Sequence, residues 1–321
     1  MDVRHDKEKV NYIFYNPDDT KDLLFKVIST KKFNQKTPQE KKIDWWYESQ
    51  FDFEKNIALI FGKFIPHTLN AQEEADNKNK WLQLVIKEFE TFKNKTDFFK
   101  YLKERRHRLC KYLEDTGWKV KKFHALCPWR LVIGLGTAHT QETSMTLHHI
   151  YGIPYIPGSA IKGITRHWAI LRFAEKTIGK EDSLGKGLEF TAKSLEEGRD
   201  LSIEVDGIQF VDLIEIFGTQ KKAGKVVFMD AYPLNNAKLG IDIINVHYPE
   251  YYSKDNPPAD WQKPVPVKFL TVQETKFEFC VLGKDETLID KAINLLNKAL
   301  SYHGIGAKTS LGYGLFKEVK L

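Results

Sequence analysis

The sequence predicts an α+β fold, with a helical N-terminal region followed by a ferredoxin-like (RRM-like) domain. Three observations predict it. Residues 1–120 carry short, Lys/Glu-rich segments of helical period. From Lys121 the texture changes to strand-like runs alternating with helices. With insertions set aside, that second part runs β-α-β-β-α-β. The domains therefore read as 1–120 and 121–321, with an insertion around 234–268.

The N-terminal helices are read at Asp18 to Phe33, Glu54 to Ile65 and Asn79 to Phe92, with "AQEEADNKNK" as an exposed loop or a polar helix end. The clearest helix is "TDFFKYLKERRHRLCKYLEDTG", where Phe98, Leu102, Leu109 and Leu113 share a face. Thr96 or Asp97 suits its start and Gly117 its end. Its Lys and Arg residues fit a solvated surface more simply than a nucleic-acid contact.

In the second part, "KKFHALCPWRLVIGLG" is a long strand in which Pro128 marks an edge or a bulge. Gly158 to Ile178 is an amphipathic helix, and Leu201 to Gly218 is ambiguous, with room for a short helix. Gly224 to Pro233 is a strand ending in a turn. Asn245 to Val267, rich in Pro and Tyr, suits an extended or hairpin excursion, and Phe269 to Gly283 is strand. Asp285 to His303 is a helix with Leu288, Ala292, Leu295, Leu296 and Ala299 inward, and "LGYGLFKEVKL" closes as a strand.

Composition narrows the function classes. A net charge of +6 favours an acidic partner, although evenly spread surface lysine gives the same figure. The three cysteines, Cys110, Cys127 and Cys280, lie far apart and suit neither a disulfide framework nor a zinc knuckle. The opening "MDVRHDKEKV" is polar and no run approaches the ~20 apolar residues of a membrane span, so the expected setting is the cytoplasm.

Two stretches carry the chemistry. In "GIGAKTSLGYG", Ala307 separates Gly306 from Lys308, and the loop follows a helix, so the P-loop pattern fails in both spelling and context. Gly304 alone would end the helix. The further glycines let backbone N–H groups approach a phosphate, with Lys308, Thr309 and Ser310 as added donors. In "YGIPYIPGSAIKGITRH", Ser159 suits a helix cap, and Lys162 and Arg166 share a face above the positive helix end.

Together, "YGIPYIPGSAIKGITRH" and "GIGAKTSLGYGLF" resemble the two signature segments of the RAMP superfamily, the RNA-binding subunits of CRISPR effectors. "RLVIGLGTAHTQETSMTLHHIYGIPYIPGSAIKG", "VVFMDAYP" and "HYPEYYSKDNPPADWQKPVPVKFLTV" are similar, in family order, to the sixth named subunit type of type III-B (Cmr) complexes. The resemblance covers Phe123 to Phe316. It implies a palm that grips guide-RNA phosphates at the 3′ side of the guide, beside target RNA and other Cmr-type subunits, with no metal or nucleotide cofactor. Carried onto this chain, Gly158, Ser159, Lys162 and Arg166 face the guide, opposed by Gly306, Lys308 and Thr309. Arg130 and Lys268 are supporting charges, His149 touches RNA, and Asn245 to Val267 is the thumb or a neighbour contact.

A metal-independent RAMP endoribonuclease is the alternative. His148, His149, His167 and His303, with Tyr151, Tyr302 and Lys308, are the groups such chemistry would draw on. Asp255 and Asp260 lie in the excursion without a motif that would make either catalytic. The segment similarity is to a binding subunit, and the expectation is a protein that is not an enzyme.

Overall fold

The computed structural model describes residues 12–14, 56–63, 66–68, 71–95, 98–137, 139, 143–177, 184–235, 237–246, 257, 261 and 264–319. The Asp18–Phe33 helix, the Thr96/Asp97 cap and most of the Asn245–Val267 excursion lie outside them. The chain divides into two units. The first comprises Met1–Lys95, Gly136–Ile153 and Gly240–Leu270, and the second Thr96–Leu135, Pro154–Leu239 and Thr271–Leu321.

In the first unit, β1 (Tyr12–Phe14) pairs antiparallel with β2 (Pro66–Thr68). Between them lies α1 (Ile57–Lys63), which buries Ile57 and Phe61 four residues apart. Helix α2 (Ala71–Lys95) takes in all of "AQEEADNKNK", which resolves that stretch as a polar helix end. Trp81, Leu82, Val85 and Phe89 form its buried face.

The second unit begins with α3 (Phe98–Asp115) and β3 (Lys119–Leu131). Gly117, at φ +86°, sits between them. Gly117 N donates to Glu114 O at 2.9 Å and Trp118 N to Leu113 O at 3.0 Å, a Schellman closure that turns the helix straight into the strand. There follow α4 (Gly158–Thr177), α5 (Leu184–Glu197), the hairpin β4 (Glu204–Val205) and β5 (Ile208–Gln209), and α6 (Phe210–Phe217). The ambiguous Leu201–Gly218 stretch is thus a hairpin and a short helix. Next come β6 (Val226–Phe228), β7 (Tyr232–Pro233), β8 (Lys238–Val246) and β9 (Val265–Gly283), then α7 (Glu286–Lys298) and β10 (Lys317–Val319); β8 from Gly240 on and β9 up to Leu270 are counted in the first unit.

The antiparallel sheet has the order β10-β3-β9-β6, with β7 and β8 also on β9. One face presents Phe123, Phe277 and Phe279. Phe123 stacks on Phe279 at 5.1 Å, and Phe316 meets Phe277 and Phe279 edge-on at 5.9 and 5.5 Å. Helix α7 lies on this side, with Leu288, Ala292, Leu295 and Leu296, and Ala299 just past its end, buried as their spacing predicts. Its start is capped by the Asp285 carboxylate, which accepts from Thr287 N at 2.9 Å.

The opposite face, the side on which an RRM-like sheet would offer a platform, carries α3. Cys110 packs with Cys280 and Leu282, joined by Leu113, Trp118 and Met229. Arg106 and His124 both reach Glu278. The buried side of α3 is therefore Leu102, Arg106 and Cys110. This corrects the sequence expectation for Leu109, which is 44% exposed. Hydrophobic spacing misses a face whose centre is a paired arginine. The three cysteines are free and buried. Burial pushes the Cys127 thiol up to about 11, and burial with the neighbouring Cys110 pushes Cys280 up to about 12, which suits packing rather than reactivity.

Pro128 marks a bulge, on a strand that has neighbours on both sides. Cys127 pairs with Thr275 and Arg130 with Gln273, so Pro128 and Trp129 together oppose Glu274, itself at φ +42°. Proline has no N–H to lose from the ladder, so the bulge costs no hydrogen bond there.

Candidate functional site

Helix α4 is built on a buried stripe of Ile161, Thr165, Ala169, Ile170 and Phe173, leaving Lys162 and Arg166 on its half-buried flank. Burial, and then the like charge of Arg166, hold the Lys162 ammonium below the ordinary lysine value. Lys162 has no acidic partner among the described residues. Arg166 has one, since its Nη2 donates to Glu196 Oε1 on α5 at 3.0 Å. The two cations therefore differ, one with a carboxylate at ion-pair distance and one without among the described residues.

The start of α4 differs from expectation. Its first residue is Gly158, and Gly158 N donates to the Asp230 carboxylate at 2.7 Å. Ser159 lies exposed inside the first turn instead of at the cap. Asp230 supplies the negative charge that the helix end attracts, so the Gly158 N–H is already occupied. Glycine is required for another reason: a Cβ there would come 2.2 Å from the Phe228 carbonyl oxygen.

The glycine-rich loop has equally local causes. After α7 the helix widens into a π-turn at Ala299–His303, closed by Gly304 N donating to Ala299 O at 2.9 Å. Ala307 N donates to Val132 O at 2.9 Å, Ile305 N to Gly314 O at 3.0 Å, and Gly314 N to Arg130 O at 2.7 Å. A Cβ on Gly306 would lie 2.3 Å from Val132 O, and one on Gly314 1.9 Å from Ile305 O. The loop is strapped to the end of β3 beyond the bulge. Lys308, at φ +62°, has its Nζ 5.8 Å from the Tyr313 ring, and Thr309 opens a short 3₁₀ turn.

The structure brings some expected residues together and separates others. Arg130 joins the glycine loop through its carbonyl. Helix α4 meets the π-turn through His167 and His303, whose rings are 4.9 Å apart, and through Trp168 stacked on Tyr302 at 5.8 Å. His149 and Lys268 belong to the first unit. There the exposed His149 stacks on His148 at 5.1 Å, and His148 on Tyr151 at 4.2 Å. His148 Nδ1 accepts from Ile150 N and Tyr151 N, both at 3.3 Å, so that ring is a turn-forming acceptor. Sequence reasoning passes over Trp129, Glu196 and Asp230. Only Trp129 has a local signal, the proline directly before it.

The sequence profile of the RAMP superfamily matches residues 122–317, which takes in most of the sheet, α4 and the glycine loop. The chain belongs to the RAMP superfamily. Among its relatives in that superfamily, the CRISPR system Cmr subunit Cmr6 of Pyrococcus furiosus is 40% identical over 247 residues, covering 65% of this chain and 72% of the relative. Cmr6 of Saccharolobus solfataricus is 27% identical over 251 residues, covering 76% and 72%. A chain in the cryo-EM structure of type III-B Cmr-beta bound to cognate target RNA superposes with a TM-score of 0.54. At 24% identity, over 86% of this chain and 85% of that one, it speaks for the fold alone. No group of three or more potential metal ligands occurs, and no helix is long and apolar enough to cross a membrane, among the described residues.

Proposed function

We propose that this chain is a non-catalytic, RNA-binding subunit of a cytoplasmic type III-B CRISPR (Cmr) effector. It caps the backbone near the 3′ side of the guide RNA and helps hold the guide–target duplex beside other Cmr-type subunits. The observation that carries the reading is the 40% identity to a Cmr6 subunit over 65% of this chain, together with the RAMP profile on residues 122–317. The strand order β10-β3-β9-β6 with the element order β-α-β-β-α-β supports a ferredoxin-like palm. Because α3 covers the second face of the sheet, the grip is assigned to the edge built from Lys162, Arg166, Arg130 and the Gly306–Thr309 loop. Lys162 suits a phosphate best, since an anion would offset both the burial of its ammonium and its repulsion from Arg166. Recognition of this kind is indifferent to base sequence, as a subunit serving many guides requires.

The test is to incubate the full chain with end-labelled single-stranded RNAs of unrelated sequence and run native and denaturing gels. Retarded, intact RNA is expected for every sequence.

A second reading rests on the His167–His303 pair, which sets two imidazoles beside Tyr302 as a metal-free ribonuclease would. Discrete cleavage products that disappear in His303→Ala would replace the binding reading with this one.

A further inference from the structure

Trp129 is held out of the sheet by the bulge. Its neighbours in β3, Cys127 and Leu131, are 0% and 1% exposed, while Trp129 is 46% exposed. The extra residue at Pro128–Trp129 breaks the alternation and turns the indole away from the core. Scattered surface side chains of this size need no explanation when they are loose. This one is fixed. Tyr313, itself buried, meets the indole edge-on at 4.9 Å and 63°, and Arg130 Cζ lies 5.3 Å from the indole ring. Gly312, at φ +90°, passes beside the six-membered ring, where even a Cβ would be 3.7 Å away. The loop that carries Tyr313 and Gly312 is the one strapped to β3 through Arg130 and Val132, so the ring's surroundings are set before any ligand arrives.

The composition of this edge selects the ligand. A half-exposed indole with one guanidinium over its ring and, across Tyr313, one ammonium suits a planar base carried on an anionic backbone, the base stacking on the indole surface that the guanidinium leaves open. We propose that Trp129 is a stacking platform for one unpaired nucleobase of RNA, with Arg130 and Lys308 directed at the flanking phosphates. The proposal rests on the RNA-binding reading above and adds to it a contact made with a base. Stacking accepts any base, because each has a π-face, so the platform remains compatible with guides of every sequence. It fixes the position of one nucleotide against the bulge, which phosphate contacts alone do not.

The experiment is a titration of the full chain with oligouridine and oligoadenosine RNAs at several salt concentrations, following affinity and tryptophan fluorescence. Trp129→Ala is expected to weaken binding about tenfold with an unchanged salt slope, because no charge is removed. Trp129→Phe should retain most of the affinity yet lose most of the RNA-induced quenching, since the stacked indole is gone. That quenching comparison also decides the matter if Trp129→Ala fails to fold. Parent-like affinity in Trp129→Ala, or parent-like quenching in Trp129→Phe, alongside weakened binding by Lys162→Ala, would overturn the platform and leave the RNA reading standing. A parent chain that binds neither RNA would overturn both. Parent-like RNA binding by Trp129→Ala with loss of subunit co-purification would make the same face a protein contact.

Discussion

Arg106 on α3 reaches the carboxylate of Glu278 on β9 at 3.3 Å, with each side chain only 12% exposed. The same guanidinium lies over the Tyr232 ring at 5.0 Å, and His124 approaches Glu278 from β3 at 3.5 Å. One ion pair therefore pins a helix to the sheet face that would otherwise be open. Burying two charges is costly, and removing one of them leaves the other uncompensated.

Arg106→Ala should accordingly lower stability by about 3 kcal/mol, read as a fall in the urea midpoint with little change in slope. The double variant Arg106→Met with Glu278→Met should recover most of that loss, because no charge is left stranded in the contact with Cys110 and Cys280. A double variant no more stable than Arg106→Ala would mean that the pair contributes through geometry that methionine cannot supply.

Glycines in this chain separate into those the fold requires and those it tolerates. Gly314→Ala puts a Cβ 1.9 Å from Ile305 O at φ +66° and should cost about 2 kcal/mol or more. Gly163 lies exposed inside α4 with nothing within 4 Å of a Cβ, so Gly163→Ala should stabilise the chain by about 0.5–1 kcal/mol. Thermal melts of the two variants should move in opposite directions.

These cases also mark where sequence reading succeeds and stops. The inward face of α7 follows from 3.6-residue spacing alone, and Pro128 announces its bulge because a missing N–H is a local fact. The burial of Arg106 is not local, since it depends on a glutamate far along the chain. The glycines of the 304–314 loop read as a surface for phosphate, yet Gly306 and Gly314 are demanded by the carbonyls of Val132 and Ile305. Asp230 at the start of α4 is equally invisible until β6 and α4 are brought together. Segment similarity points to the family, and tertiary contacts show which of the expected side chains are already engaged within the fold.

Lys162 and Arg166 should answer differently to substitution. Lys162→Ala should weaken binding equally across RNA sequences and reduce the salt slope by about 0.7, the share of one phosphate on a single strand. Glu196→Gln should strengthen binding about two- to fivefold, because the arginine then has no exposed carboxylate to leave. Titrations at graded salt measure both. No change in slope for Lys162→Ala would remove α4 from the RNA interface.

His303 should make the fold sensitive to mild acid. Burial, and then the neighbouring His167, hold its pKa below the ordinary histidine value of 6.5. Between the folded value and 6.5 the unfolded chain binds more protons than the native one, so stability rises with pH across that window. Below the folded value the penalty is complete, and above 6.5 the contribution is flat. On going from neutral pH to about pH 5, the parent should therefore lose more thermal stability than His303→Gln, while carboxylate contributions, common to both, cancel in the comparison. Parallel melting curves for the two proteins would mean that the π-turn admits a charged ring without strain. A larger loss in the parent would show that the contact between α4 and the π-turn disfavours a charged His303, and that acid loosens the helix carrying Lys162.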